Sequence, residues 1–219
     1  MLSFPIVKPK AVIFDVGGVL LESPFVAALR WAQEWEIPLD ALKTIFGDYS
    51  RASSPGQSPM WHEVECGRVE LATFVLQMQK TLGATLPLNH RARTLTADDF
   101  NPFADGEPVA AMIELVHEVR GRGLKTGILT NNVREWSAWR EKIPIDAFDA
   151  VIDSCQVGIR KPEPDIYLLI CEKLSLTPSS CLFLDDHPAN VEAAIAVGLD
   201  ALLVTQDFDA AVSEVRSRF

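Results

Sequence analysis

The sequence predicts an α/β fold, a doubly wound five-stranded parallel sheet with a helical segment inserted after its first strand. Three observations predict it. Short, almost wholly apolar runs end in polar residues; helical stretches alternate with those runs after residue 100; and residues 23–100 read as helices alone.

The first run follows Lys10. Ala11-Val12-Ile13-Phe14-Asp15 is a β-rich apolar stretch closing on a carboxylate, and Gly17-Gly18 comes directly after it. Such a run is a buried strand with a reactive tip. Four more strands are expected at residues 124–130, 150–153, 181–185 and 201–205, each short and nearly all apolar, as central parallel strands are. Helices are expected at residues 107–120, 133–142, 164–174, 188–197 and 208–218. Pro162, Pro164 and Pro188 fall near helix starts, and Gly121 and Gly198 fall where helices stop. Strand and helix alternate, so helices should cover both faces of a parallel sheet.

Residues 23–100 break the alternation with amphipathic stretches at 24–36, 39–46, 61–67 and 71–82. The stripe of Phe25, Leu29, Trp31 and Trp35 suits the interior of such an insertion. Ser53-Ser54-Pro55-Gly56 and Asn101-Pro102 mark loops and a joint. The expected division is a core of residues 1–20 and 101–219 and a helical cap of residues 21–100, hinged at 18–23 and 98–104.

Composition excludes several function classes. With 219 residues, 48% of them hydrophobic, the chain can bury a sizeable core. Thirty acidic against twenty basic residues give a net charge of −10, and no long basic cluster is present to neutralise nucleic acid. Residues 1–10 lack the apolar run of a signal peptide, and no stretch is long enough to span a membrane. Cys66, Cys155, Cys171 and Cys181 show no CxxC spacing, so reduced thiols and a cytoplasmic location are expected. Oligomeric state has no signature in the sequence.

In open α/β sheets ligands bind beyond the carboxyl ends of the strands. The tips gathered there carry Asp15, Thr130-Asn131-Asn132 and Asp185-Asp186, with Lys161 in a nearby loop. Three converging carboxylates repel one another, and a divalent cation keeps them ionised. Hard oxygen donors without paired histidine or cysteine favour Mg2+ over zinc. A cation bridging a carboxylate and a phosphoryl oxygen also lowers the repulsion that keeps a carboxylate nucleophile from an anionic ester. Lysine and threonine would complete a phosphate cradle. Simpler roles compete: Asp15 as a turn residue, Thr130-Asn131-Asn132 as the N-cap of a helix from Val133 that also receives the phosphate, and Arg160-Lys161 as a solvated basic pair.

With these residues in view, the chain resembles the haloacid dehalogenase superfamily, in its phosphatase branch with an inserted helical cap. Phe14-Asp15-Val16-Gly17-Gly18-Val19-Leu20 is similar to its first motif and Leu129-Thr130-Asn131 to its second. Val157-Gly158-Ile159-Arg160-Lys161-Pro162 is similar to its third, and Phe183-Leu184-Asp185-Asp186 with Asn190 to its fourth. The sheet order this implies is 5-4-1-2-3. The resemblance implies that Asp15 attacks phosphorus to form an aspartyl-phosphate, which water hydrolyses. Thr130, Asn131 and Asn132 would hold phosphoryl oxygens, and Lys161 would neutralise charge. Magnesium would be held by Asp15, the Gly17 carbonyl, Asp186 and, directly or through water, Asp185.

One position departs from the pattern. Phosphatases of this family usually carry a second aspartate two residues after the nucleophile as general acid, and here Gly17 stands there. A general acid contributes ~10²–10⁴-fold, so slow turnover on a small phosphate ester is expected. The glycine version resembles the phosphatase-like domain attached to epoxide hydrolases and some acyl-CoA dehydrogenases, and small bacterial sugar-phosphate phosphatases. His62, Glu63 and Glu65 are candidate replacement acids from the cap. Two other functions remain open at this point, a metal-independent dehalogenase and a binding or regulatory module without turnover.

Overall fold

The computed structural model describes residues 8–38, 40–41, 59–100 and 106–219. Five parallel strands form one sheet in the order β3-β2-β1-β4-β5, which is 5-4-1-2-3 read from the other edge. They are β1 (Ala11–Phe14), β2 (Lys125–Thr130), β3 (Ala150–Asp153), β4 (Cys181–Asp185) and β5 (Asp200–Leu203). Central β1 pairs Phe14 with Ile128 on one side and with Leu184 on the other, so the three central strands end nearly level.

The two-residue period of a strand divides β1 between two cores. Val12 and Phe14 join Ile128, Leu182 and Leu184 on one face, packed by Met112, Leu115, Val116 and Val119 of α4 (Ala110–Gly121) and by Val212 and Val215 of α9 (Phe208–Arg216). Ala11 and Ile13 join Leu129 and Phe183 on the other, packed by Ile166, Tyr167 and Ile170 of α7 (Pro164–Lys173) and Ala194 of α8 (Pro188–Ala196). Covering both faces accounts for the continuous apolar runs of the sequence.

Between β1 and β2 the described segment holds α1 (Pro24–Glu34), α2 (Met60–Glu65) and α3 (Leu71–Thr85), then short 3-10 turns at Arg91–Thr94 and Ala97–Asp99. Of the helix expected at 39–46, residues 40 and 41 are helical; its remainder, the loop at 53–56 and the joint at 101–102 lie outside the described residues. The chain leaves and re-enters the sheet along paired backbone: the Glu22 N–H donates to the Glu107 carbonyl at 3.0 Å, and the Val109 N–H to that of Leu20 at 2.9 Å. Trp61 and Phe100 from this segment meet Trp136 from the loop after β2, with ring centroids 5.7 and 5.4 Å apart, and Phe74 packs on Trp61 at 5.0 Å.

One helix differs from expectation. The stretch 133–142 is helical only at α5 (Trp139–Lys142), so no helix starts at Val133 and Thr130-Asn131-Asn132 is not its N-cap. Local bonds take the chain elsewhere. Asn132 donates its amide to the Trp136 carbonyl at 3.1 Å, closing a turn that delivers Trp136 to the aromatic cluster. Tertiary burial of that indole overrides the helical spacing.

Candidate active site

Asp15 lies one residue beyond β1, where its N–H donates to the Leu184 carbonyl at 2.9 Å. Its Oδ1 accepts the Val16 N–H at 2.7 Å, and the Val16 carbonyl in turn accepts the Leu20 and Leu21 N–H groups at 2.9 and 2.8 Å. This turn requires glycine at one place. Gly18 has φ +75°, and a Cβ there would lie 2.0 Å from Asp186 Oδ2. The sequence pair Gly17-Gly18 therefore brings backbone against the second acidic tip.

Beyond β4 the two aspartates part in role. Asp185 is fully buried, and every oxygen is engaged: Oδ1 by the His187 N–H (2.8 Å) and the Asn190 amide (3.0 Å), Oδ2 by Lys161 Nζ (2.6 Å). Asp186, half-buried, receives one long bond from the Ser23 hydroxyl at 3.3 Å. Ligand oxygens of Asp15, Asp185 and Asp186 all lie within 4.8 Å of one another.

Lys161 is 1% exposed and inserts between two of these acids, with Nζ 2.9 Å from Asp15 Oδ1 and 2.6 Å from Asp185 Oδ2. Burial alone would lower its pKa, but the two carboxylates outweigh that and hold the ammonium charged. Asn131 fixes its backbone from both sides: the Asn131 amide donates to the Lys161 carbonyl at 2.9 Å, and the Lys161 N–H donates to Asn131 Oδ1 at 2.8 Å. One ammonium faces three carboxylates. Burial, only partly offset by Lys161, raises the Asp15 pKa well above the usual carboxylate range. Burial and the neighbouring Asp185 raise Asp186 to about 6. Hard oxygen donors with surplus negative charge are a donor set that fits Mg2+, and the carboxylates of Asp15, Asp185 and Asp186 are the described residues that could hold it, Asp185 being bonded to Lys161 as well.

Thr130, the last residue of β2, is 2% exposed, and its hydroxyl makes a long 3.4 Å contact with the Asn131 carbonyl, leaving it able to reorient. Asn132 has another task. Its N–H donates to Ser154 Oγ at 2.9 Å and its amide to Trp136 and Asp153, so its donors are spent on the loop and the structure sets it apart from the phosphate donors.

The three candidate acids each sit in surroundings that disfavour a proton held near pH 7 or tie the side chain to an arginine. Burial, with the Arg160 charge adding to it, lowers His62 to about 4, leaving it neutral near pH 7. A hydrogen bond from Arg68 holds Glu63 below the usual carboxylate range. Glu65 binds Arg160 Nε at 2.7 Å. Sequence reasoning missed Ser23, which reads as an ordinary N-cap before Pro24 but turns its hydroxyl to Asp186, and Arg160, which reads as solvated but is buried.

Residues 9–198 match the model of the haloacid dehalogenase-like hydrolase family. The chain is 32% identical over 199 residues to a phosphatase of Mycobacterium tuberculosis, covering 89% of this chain and 86% of that one. It is 30% identical to acyl-CoA dehydrogenase family member 10 of Mus musculus over 95% of its own length but only 19% of that protein's. Among solved structures, a haloacid dehalogenase family enzyme from Bacteroides thetaiotaomicron, an aspartate-to-alanine mutant complexed with magnesium and inorganic phosphate, superimposes with a TM-score of 0.67 at 17% identity, covering 93% of this chain and 98% of that one. Sequence match, sheet order and the acidic tips agree: this chain belongs to the haloacid dehalogenase-like hydrolases.

Proposed function

We propose that this hydrolase is a magnesium-dependent phosphatase for a small soluble phosphate ester, with Asp15 as the covalent nucleophile. The observation that carries the reading is Lys161 Nζ bonded to both Asp15 and Asp185 beside a third carboxylate within 4.8 Å. Likeness to a mycobacterial phosphatase supports the reaction class, and magnesium with phosphate in a protein of the same fold supports the cofactor.

Bound magnesium would supply Lewis-acid charge neutralisation between the acidic tips and the phosphoryl group. The chain's own residues do the rest. Lys161 shares its charge between the attacking carboxylate and an incoming phosphoryl oxygen, while the Thr130 hydroxyl and the Asn131 N–H offer further donors. An Asp15 oxygen forms a bond to phosphorus as the ester oxygen leaves, and water then cleaves the acyl phosphate to regenerate the carboxylate. With Gly17 at the acid position, the departing oxygen takes its proton from solvent, so esters with acidic leaving groups react best.

In this reading residues 21–100 form a cap over the strand tips, and the protein works in the cytoplasm as an enzyme of free metabolites, with neither nucleic acid nor membrane as partner. Among the described residues no helix is long and apolar enough to cross a membrane. Hydrolysis of p-nitrophenyl phosphate with magnesium and with EDTA tests the proposal: turnover is expected only with the metal and is expected to fall by about 10⁴-fold or more in Asp15→Asn. Gly17 favours one competing reading, a binding module that retains the fold without turnover. Stabilisation by magnesium and beryllium trifluoride without hydrolysis of any ester would select it.

A further inference from the structure

The turn that follows α2 is tied to the rim of the sheet by bonds that the reaction itself does not use. Glu65 Oε2 meets Arg160 Nε at 2.7 Å across 95 residues of sequence, with side chains only 7% and 10% exposed. The Glu65 carbonyl accepts the Ser154 hydroxyl at 2.6 Å, and Ser154 Oγ in turn accepts the Asn132 N–H at 2.9 Å. Arg134 donates to the Gly67 carbonyl at 2.9 Å, and Glu135 accepts the Leu71 N–H at 3.0 Å. A Cβ on Gly67, at φ +66°, would lie 2.3 Å from the Cys155 carbonyl oxygen. All these contacts end on the segments after β2 and β3, the second opening with the short helix α6 (Ser154–Val157), and these segments carry Asn131 and Lys161.

A buried ion pair gains little stability over apolar side chains of similar volume, because desolvation offsets its attraction. What such a pair does supply is direction. Residues 160 and 161 are held at three points: the Arg160 side chain by Glu65, the Arg160 carbonyl by the Glu163 N–H at 2.8 Å, and the Lys161 peptide by Asn131. Fixing the backbone at 160 and 161 sets where Nζ stands relative to Asp15, and a displacement of about 1 Å can cost about 10²-fold in rate.

We propose that Glu65 is a positioning residue: through its buried pair with Arg160 it holds Lys161 in the geometry that activates Asp15, so the helical insertion contributes to the phosphoryl site as well as to any substrate choice. The proposal rests on the phosphatase reading.

The test compares wild type, Glu65→Gln, Glu65→Asp and the apolar pair Glu65→Leu/Arg160→Met in magnesium with p-nitrophenyl phosphate, together with the Tm of each. Glu65→Gln is expected to lower kcat by about tenfold or more with KM changed by less than about threefold, and Glu65→Asp to recover part of the loss. The apolar pair is expected to keep the wild-type Tm yet remain as slow as Glu65→Gln. Wild-type kcat in Glu65→Gln, or restoration of kcat by the apolar pair, would overturn the proposal. A wild-type protein without turnover would instead overturn the phosphatase reading, and this inference with it.

Discussion

Arg160 and Lys161 are neighbours in the chain and both are buried, yet they enter two different acidic surroundings. Arg160 meets one carboxylate, Glu65, at 2.7 Å. Lys161 meets Asp15 and Asp185 at 2.9 and 2.6 Å, with Asp186 in the same cluster. The first surrounding is balanced, one cation to one anion; the second carries surplus negative charge that the protein leaves uncompensated. Balanced pairs orient backbone and hold loops together. Unbalanced ones store electrostatic repulsion that a bound cation or proton uptake relieves, which is why the surplus marks the candidate site for chemistry.

The largest expected effect comes from deepening the imbalance. Lys161→Met should lower kcat by roughly 10²–10³-fold, since it removes a donor from both nucleophile and phosphoryl oxygen. It should also cost about 3–5 kcal/mol in urea unfolding without magnesium, because Asp15 and Asp185 lose their buried counter-charge. A variant as stable as wild type would mean that Lys161 does not offset buried negative charge there, and the comparison would fail.

Moving one acid without changing any charge is the next test. In Gly18→Ala the new Cβ, 2.0 Å from Asp186 Oδ2 and at φ +75°, must displace that carboxylate. Magnesium affinity by calorimetry should fall about 10–100-fold, as it does when groups orienting a ligand are lost. Unchanged affinity would remove Asp186 from the candidate ligands.

A smaller effect should appear in the pH dependence of the metal-free protein. Asp186 titrates at about 6 and Asp15 is also raised, so the folded state binds protons more tightly than the unfolded chain, where aspartate titrates near ~3.9. The stabilisation is fully present below the unfolded value and is lost as pH rises through the folded one. His62, lowered to about 4, contributes stability of the opposite pH dependence over the same range, so the effect is read against Asp186→Asn. Without magnesium the wild-type Tm should fall by a few degrees relative to that variant between about pH 4 and pH 7, and magnesium should restore it most at the upper end. A difference between the two proteins that does not change with pH would contradict the surplus of charge.

How much of this could be read from the sequence depends on which interaction decides each element. The strands were legible because central parallel strands are apolar on both faces, and each observed strand lies within about a residue of its expected start. Asp15, Lys161, Asp185 and Asp186 were legible because their motifs fall at the same edge once the strands are aligned. The segment 133–142 was not. Val133, Trp136, Trp139 and Ile143 recur at helical spacing and are all buried, but they pack through a turn held by Asn132. No periodicity separates those two outcomes. Nor could the sequence pair Glu65 with Arg160, since nothing local distinguishes a buried charge from a solvated one.

The smallest expected effect separates burial from mere proximity within one turn. Arg68 lies three residues after Glu65 and also bridges to the sheet rim, binding Glu63 Oε2 and the Gly158 carbonyl, each at 2.7 Å. Its side chain is 50% exposed, however, so water competes for every bond it makes. Exposed pairs of this kind contribute about 0–1 kcal/mol. Arg68→Ala should thus change kcat by less than about twofold and Tm by no more than about 2–4 °C. If its kcat fell as far as that of Glu65→Gln, the whole turn rather than the buried pair would be setting Lys161, and the contrast between Arg160 and its surroundings would have to be redrawn around the loop as a unit.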